Sequence, residues 1–240
     1  MKVTFLEGPV GTSLSKHYFA NGETQPYPHV KDVTSYEHSI QVSQLGIEQL
    51  ENLIRSHGSK GDCMLKGALR RPLVNESRAQ KSDRLALNGL LVLDFDAITL
   101  PRQIVRSKKL NSSDVQLIAE QIIADLPPEL HDVTYIAQAS ASLGLKGNRI
   151  SMHIFMLLTV PMPPKSIKLW LQNLNYAIPV FKDQLELSAN GQSLKYPVDV
   201  SVADNSKLIF IAPPTFEDPT QNPFTSDADR IVRVVRANAS

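Results

Sequence analysis

Two carboxylates stand two residues apart at the end of an apolar run, Leu90-Leu91-Val92-Leu93-Asp94-Phe95-Asp96. On an extended strand residues i and i+2 face the same side, so Asp94 and Asp96 project together while Phe95 turns toward a core. Like charges held that close on an apolar strand repel unless a cation compensates, and Mg²⁺ or Mn²⁺, as hard cations, take oxygen ligands. The pair predicts a divalent-metal site acting on phosphates; the plainer alternative is two solvated aspartates at a strand end.

Ser151-Met152-His153 repeats the spacing at the start of a second apolar run. The segment before it, Ser140 to Arg149, is small, flexible and basic. Its glycines let backbone approach a ligand, and Lys146 and Arg149 can meet negative charge. An ordinary polar hairpin with a core histidine is the alternative. A third acid, Asp199, follows Tyr196-Pro197-Val198, with Asp204 and Ser206-Lys207 close behind. Standing alone, Asp199 reads as a turn residue.

The elements that must carry these residues are mixed. Residues 7–40 are rich in Gly, Pro, Ser, Thr and His and read as ordered loop with short pieces of structure. Ser43 to His57 has the apolar spacing of an amphipathic helix, with Gly58 as its stop. Cys63 to Leu65 reads as a strand, followed by a basic, turn-rich segment from Lys66 to Arg84. Asn88 to Phe95 is the strongest strand signal, with the continuous apolar run of a central strand. Ser112 or Ser113 caps a helix to Asp125, ended by Pro127-Pro128. Strands are predicted over Val133–Ala137, Ile150–Val160 and Leu208–Ala212, a helix over Lys165–Tyr176, and a last ordered stretch over Arg230–Val235. With few regular βα alternations, the fold class is α+β.

The chain has 240 residues, 42% of them apolar, enough for a sizeable core. Its formal net charge of +1 gives no global basic field, so a nucleic-acid surface would come from local clustering. The single cysteine, Cys63, excludes an internal disulfide and a cysteine-based zinc finger. No apolar stretch reaches membrane-spanning length, and the N-terminus lacks a signal-peptide run, so a cytoplasmic protein with no membrane partner is expected. Val234 to Ser240 carries no stop signal, and a longer natural chain is expected.

Together, Asp94-Phe95-Asp96, Ser151-Met152-His153 and Val198-Asp199 resemble the three ordered motifs of the archaeo-eukaryotic primase superfamily, which includes phage and plasmid primase-polymerases. The resemblance covers roughly residues 60–215. It extends to the run from Asp199 to Pro214 and, more weakly, to Lys66-Gly67-Ala68-Leu69-Arg70-Arg71-Pro72 and Glu76-Ser77-Arg78. It implies an N-terminal α/β module, residues 1–87, packed on an RRM-like antiparallel catalytic module, residues 88–240, with the cleft between them. It further implies a nucleotidyltransferase that makes or extends primers for DNA replication with two Mg²⁺ or Mn²⁺ ions held by Asp94, Asp96 and Asp199. Ser151, His153, Arg149 and Lys207 would bind the triphosphate of an NTP or dNTP. Lys66, Arg70, Arg71 and Arg78, with Lys81 and Arg84, would hold a single-stranded DNA template. A replicative helicase or polymerase, or a following domain, is the implied partner, and a host-cell cytoplasm the implied setting. Asp204 stays open as the rival third ligand, and no zinc-binding Cys/His cluster is present.

Two other readings compete. Asp94-Phe95-Asp96-Ala97-Ile98-Thr99-Leu100 superficially resembles the Asp-x-Asp-Gly-Thr-Leu signature of haloacid-dehalogenase-like phosphatases. Ala97 replaces its glycine, Thr99 is one place late, and the motif lies far from the N-terminus. A non-catalytic replication-initiator module would not need both aspartates. A P-loop is excluded, because Gly8-Pro9-Val10-Gly11-Thr12-Ser13 lacks the Gly-Lys-Ser/Thr ending.

Overall fold

The computed structural model describes residues 1–100, 109–188 and 190–236. It is α+β with antiparallel sheets. The first sheet is built from β1 (Lys2–Glu7), β2 (Asp32–Ser39) and β3 (Cys63–Leu65), with α1 (Gln44–Lys60) between the last two. The second is built from β4 (Asn88–Thr99), β5 (Tyr135–Ala139), β6 (Arg149–Met162) and, late in the chain, Ile231–Val234. Two further helices, α2 (Ser112–Asp125) and α3 (Pro164–Ala177), follow β4 and β6.

The apolar run of β4 is buried as its composition demands: Leu90 to Leu93 are at most 4% exposed. It pairs antiparallel with β6, and the register sets Asp94 directly opposite His153. β6 pairs in turn with β5, and β5 with Ile231–Val234. On its other edge β4 bridges from Phe95 to Val198, so the chain just before Asp199 lies antiparallel beside it. The three motifs thus occupy three neighbouring extended segments.

The helices have local causes. Ser43 caps α1 by accepting from the Gly46 amide, and Gly61, at φ 88°, closes it three residues beyond the expected Gly58. Asn111 caps α2, in place of the expected serines, through a reciprocal capping box with Asp114. Pro164 opens α3 at a position where its missing N–H costs nothing.

Within residues 7–40 the regular structure is longer than the short pieces expected, because β2 runs alongside the whole of β1. Its sequence, Asp-Val-Thr-Ser-Tyr-Glu-His-Ser, buries only Val33 and so carries no apolar alternation. A late segment crosses the expected division at residue 87. Leu208–Ile209 returns to pair with β3 in the first sheet, and one apolar core runs from Phe5 and Leu50 through Leu93 to Phe155. No helix among the described residues is long and apolar enough to cross a membrane.

Candidate active site

Asp94, Asp96, Ser151, His153, Asp199 and Lys207 line one cavity of about 260 Å³. The backbone holds the two acidic segments together: the Asp199 amide donates to the Asp94 carbonyl at 2.8 Å, and the Asp96 amide to Pro197 at 3.3 Å. Between Phe95 and Ile98 the β4–β6 register gains a residue, and Ala97 takes φ 58°. This bulge bends the strand beside the cavity. Ser151, 4% exposed, pins it by accepting from the Ala97 amide at 3.0 Å. Its expected contact with a triphosphate is thus joined by a positioning role.

His153 is 5% exposed and held from behind. The Gln138 amide nitrogen donates to the Ile211 carbonyl at 2.7 Å, which turns its oxygen toward His153 Nδ1 at 3.3 Å. Nδ1 therefore carries the hydrogen, and Nε2 faces Asp94 Oδ1 at 3.5 Å. That approach needs a proton or another cation between the two groups.

Charge is concentrated here. Burial pushes the Asp94 carboxyl above its ordinary value; Asp199 and Asp96 add to this, against His153 and Lys207. Burial alone would raise Asp199 too. Lys207 Nζ at 2.9 Å and the hydroxyl and amide of Ser201, both at 2.8 Å, outweigh it and hold that carboxyl below its usual range. Asp204 does not line the cavity; its Oδ1 accepts from the amide and hydroxyl of Ser206, closing a turn. Of the two candidates for the third acidic position, Asp199 is the one in the cavity.

The donors suit a hard divalent cation: three carboxylates line one cavity, one of them raised by burial and by its acidic neighbours. In the present arrangement Lys207 pairs with Asp199, and His153 Nε2 stands beside Asp94. Accordingly, among the described residues no three His, Cys, Asp or Glu side chains converge tightly enough to hold an ion. Asp94 and Asp96 would hold it, with Asp199 joining when Lys207 leaves.

Other assignments change. Lys66 is no template contact. It is 3% exposed, donates to the Leu90 carbonyl at 2.7 Å, and its ammonium is pushed down by burial to about 7. Arg71 forms a two-pronged ion pair with Glu76. Arg78 reaches the Ser206 carbonyl, and Arg70 is exposed. Arg149 lines a neighbouring cavity of about 170 Å³, which shares Asp96 with the first. Composition gave no sign of Lys16 and Tyr27, which come from the loop before β2 and line the Asp94 cavity. Tyr27 stacks on Phe210 at 3.8 Å, with Lys16 Nζ 4.9 Å from the Tyr27 ring centre. Burial, followed by the Asp94 charge, pushes the Tyr27 phenol up.

No family model matches the chain, and no curated protein matches it.

Proposed function

We propose that this chain is the catalytic core of a primase-polymerase of the archaeo-eukaryotic type, joining nucleotides on a single-stranded DNA template by divalent-metal chemistry. The observation that carries the reading is the meeting of Asp94, Asp96, His153 and Asp199 in one cavity, brought there by three adjacent antiparallel segments. Isolated acids on scattered loops would not need that arrangement. The order Val198, β4, β6, β5, with α2 after β4 and α3 after β6, supports the RRM-like form of the catalytic module.

In this reading Asp94, Asp96 and Asp199 would hold two Mg²⁺ or Mn²⁺ ions. Such ions would supply Lewis-acid polarisation of the α-phosphate and compensate the charge of the leaving pyrophosphate. The chain supplies the rest. Lys207 exchanges Asp199 for a phosphate oxygen of the NTP or dNTP, which frees the carboxylate as the substrate arrives. His153, fixed by Gln138, directs Nε2 at the triphosphate, and Arg149 meets it from the adjoining cavity. The Tyr27–Phe210 stack forms an apolar wall for the nucleoside. A replicative helicase or polymerase, or a following domain, is the partner such a core serves, in a host-cell cytoplasm.

The test is synthesis on a single-stranded template with labelled nucleotides and Mg²⁺ or Mn²⁺, with and without a primer. The expected result is metal-dependent product from the wild type, reduced at least about 10³-fold in Asp94→Ala with Asp96→Ala. No product in either format, together with hydrolysis of a simple phosphate ester, would replace this reading with the phosphatase.

A further inference from the structure

Beside the Asp94 cavity lies a larger one, of about 320 Å³, whose lining includes Lys31, Ser77, Arg78, Ser82, Arg84 and Ser206 and no carboxylate. Consecutive residues line the two cavities, Ser206 this one and Lys207 the other. Three cations facing one space repel each other unless an anion compensates. Arg78 spends one guanidinium nitrogen on the Ser206 carbonyl at 3.1 Å, which fixes the head and leaves its other N–H groups available. Among the described residues neither Lys31 nor Arg84 has a hydrogen bond or ion pair from its side chain. Ser82 is 5% exposed, and among the described residues its hydroxyl has no partner. Arg84 contributes to lowering the Asp204 carboxyl, but that carboxylate is already engaged by Ser206 and lies outside the lining. Gln80, also in the lining, holds φ 60°, a conformation rare for a non-glycine residue and one that clusters at ligand sites.

Guanidinium, ammonium and hydroxyl donors around an acid-free space match the oxygens of a phosphate group. We infer that this pocket is a phosphate subsite, engaging a backbone phosphate of the nucleic-acid strand whose reacting end lies in the Asp94 cavity. The identity of the strand rests on the function proposed above; the phosphate chemistry does not. Lys31, from the loop before β2, and Arg84, from the segment before β4, bring the subsite together from two segments far apart in sequence.

The experiment measures binding of a labelled 20-nucleotide single strand to the full chain in EDTA without nucleotide, over a salt series. Lys31→Ala with Arg84→Ala is expected to bind about tenfold more weakly, with a log–log salt slope shallower by about 1.4 for two lost contacts. Lys31→Arg with Arg84→Lys should keep both values near wild type. Unchanged strand binding in the alanine variant overturns the subsite. Loss of inorganic pyrophosphate binding alone, with strand affinity intact, overturns the strand assignment in favour of a free phosphate ligand. Because neither metal nor nucleotide is present, the outcome is independent of synthesis. A binding defect in a protein that makes no product leaves the subsite standing and removes the polymerase reading; unchanged binding in a protein that makes product does the reverse.

Discussion

At the residue scale the most informative side chain outside the site is Lys66. Its ammonium titrates near 7 in the folded chain because it is buried against the Leu90 carbonyl, while an unfolded lysine titrates near ~10.4. Between those values the unfolded chain holds a proton that the folded chain has released, so stability rises with pH from ~7 to ~10. Below ~7 both states are charged and the burial penalty is fully present. Replacing the buried charge, Lys66→Met should stabilise the fold at pH 6 by on the order of 2 kcal/mol. The advantage should fade as pH approaches 10. Urea unfolding of both proteins across that range checks this, and parallel stability curves would contradict it. Lys66 was misread because a lysine in a basic run looks like surface. Its burial follows from its place between the strand Cys63–Leu65 and the buried Leu90, a relation between segments far apart in sequence.

At the element scale β4 does most to build the site. It was legible as a central strand because its apolar run is continuous, and pairing on both edges gathered the other two motifs. The bulge at Ala97 was not legible, since alanine gives no sign of a left-handed conformation. Nor were Gln138, Lys16 and Tyr27, whose roles depend on which segments meet and not on local pattern. The same holds for Asn205, 1% exposed, which donates to the Asp83 and Ala86 carbonyls at 2.7 and 2.9 Å and accepts from Asn88. It ties the entrance of β4 to the segment that carries Asp199 and Lys207. Asn205→Ala removes three buried hydrogen bonds and should cost about 2–4 kcal/mol in a denaturation experiment. A cost under about 0.5 kcal/mol would mean that the tie is not structural.

At the scale of the whole molecule, one core beneath two sheets explains why the acidic motifs can sit 105 positions apart, from Asp94 to Asp199, and still share a cavity. The near-neutral net charge conceals strong local organisation. Acids and cations are interleaved in the Asp94 cavity, whereas the lining that includes Arg84 has cations and no carboxylate. The proposed function requires the acids of the first cavity to hold divalent metal for nucleotide phosphates. Anomalous diffraction from crystals grown with Mn²⁺ and a non-hydrolysable nucleoside triphosphate tests it most directly. Mn²⁺ is expected within roughly 2.0–2.6 Å of carboxylate oxygens of Asp94 and Asp96, with Lys207 moved from Asp199 to a phosphate oxygen. Nucleotide bound with no manganese at these aspartates, or manganese held only elsewhere, would contradict it.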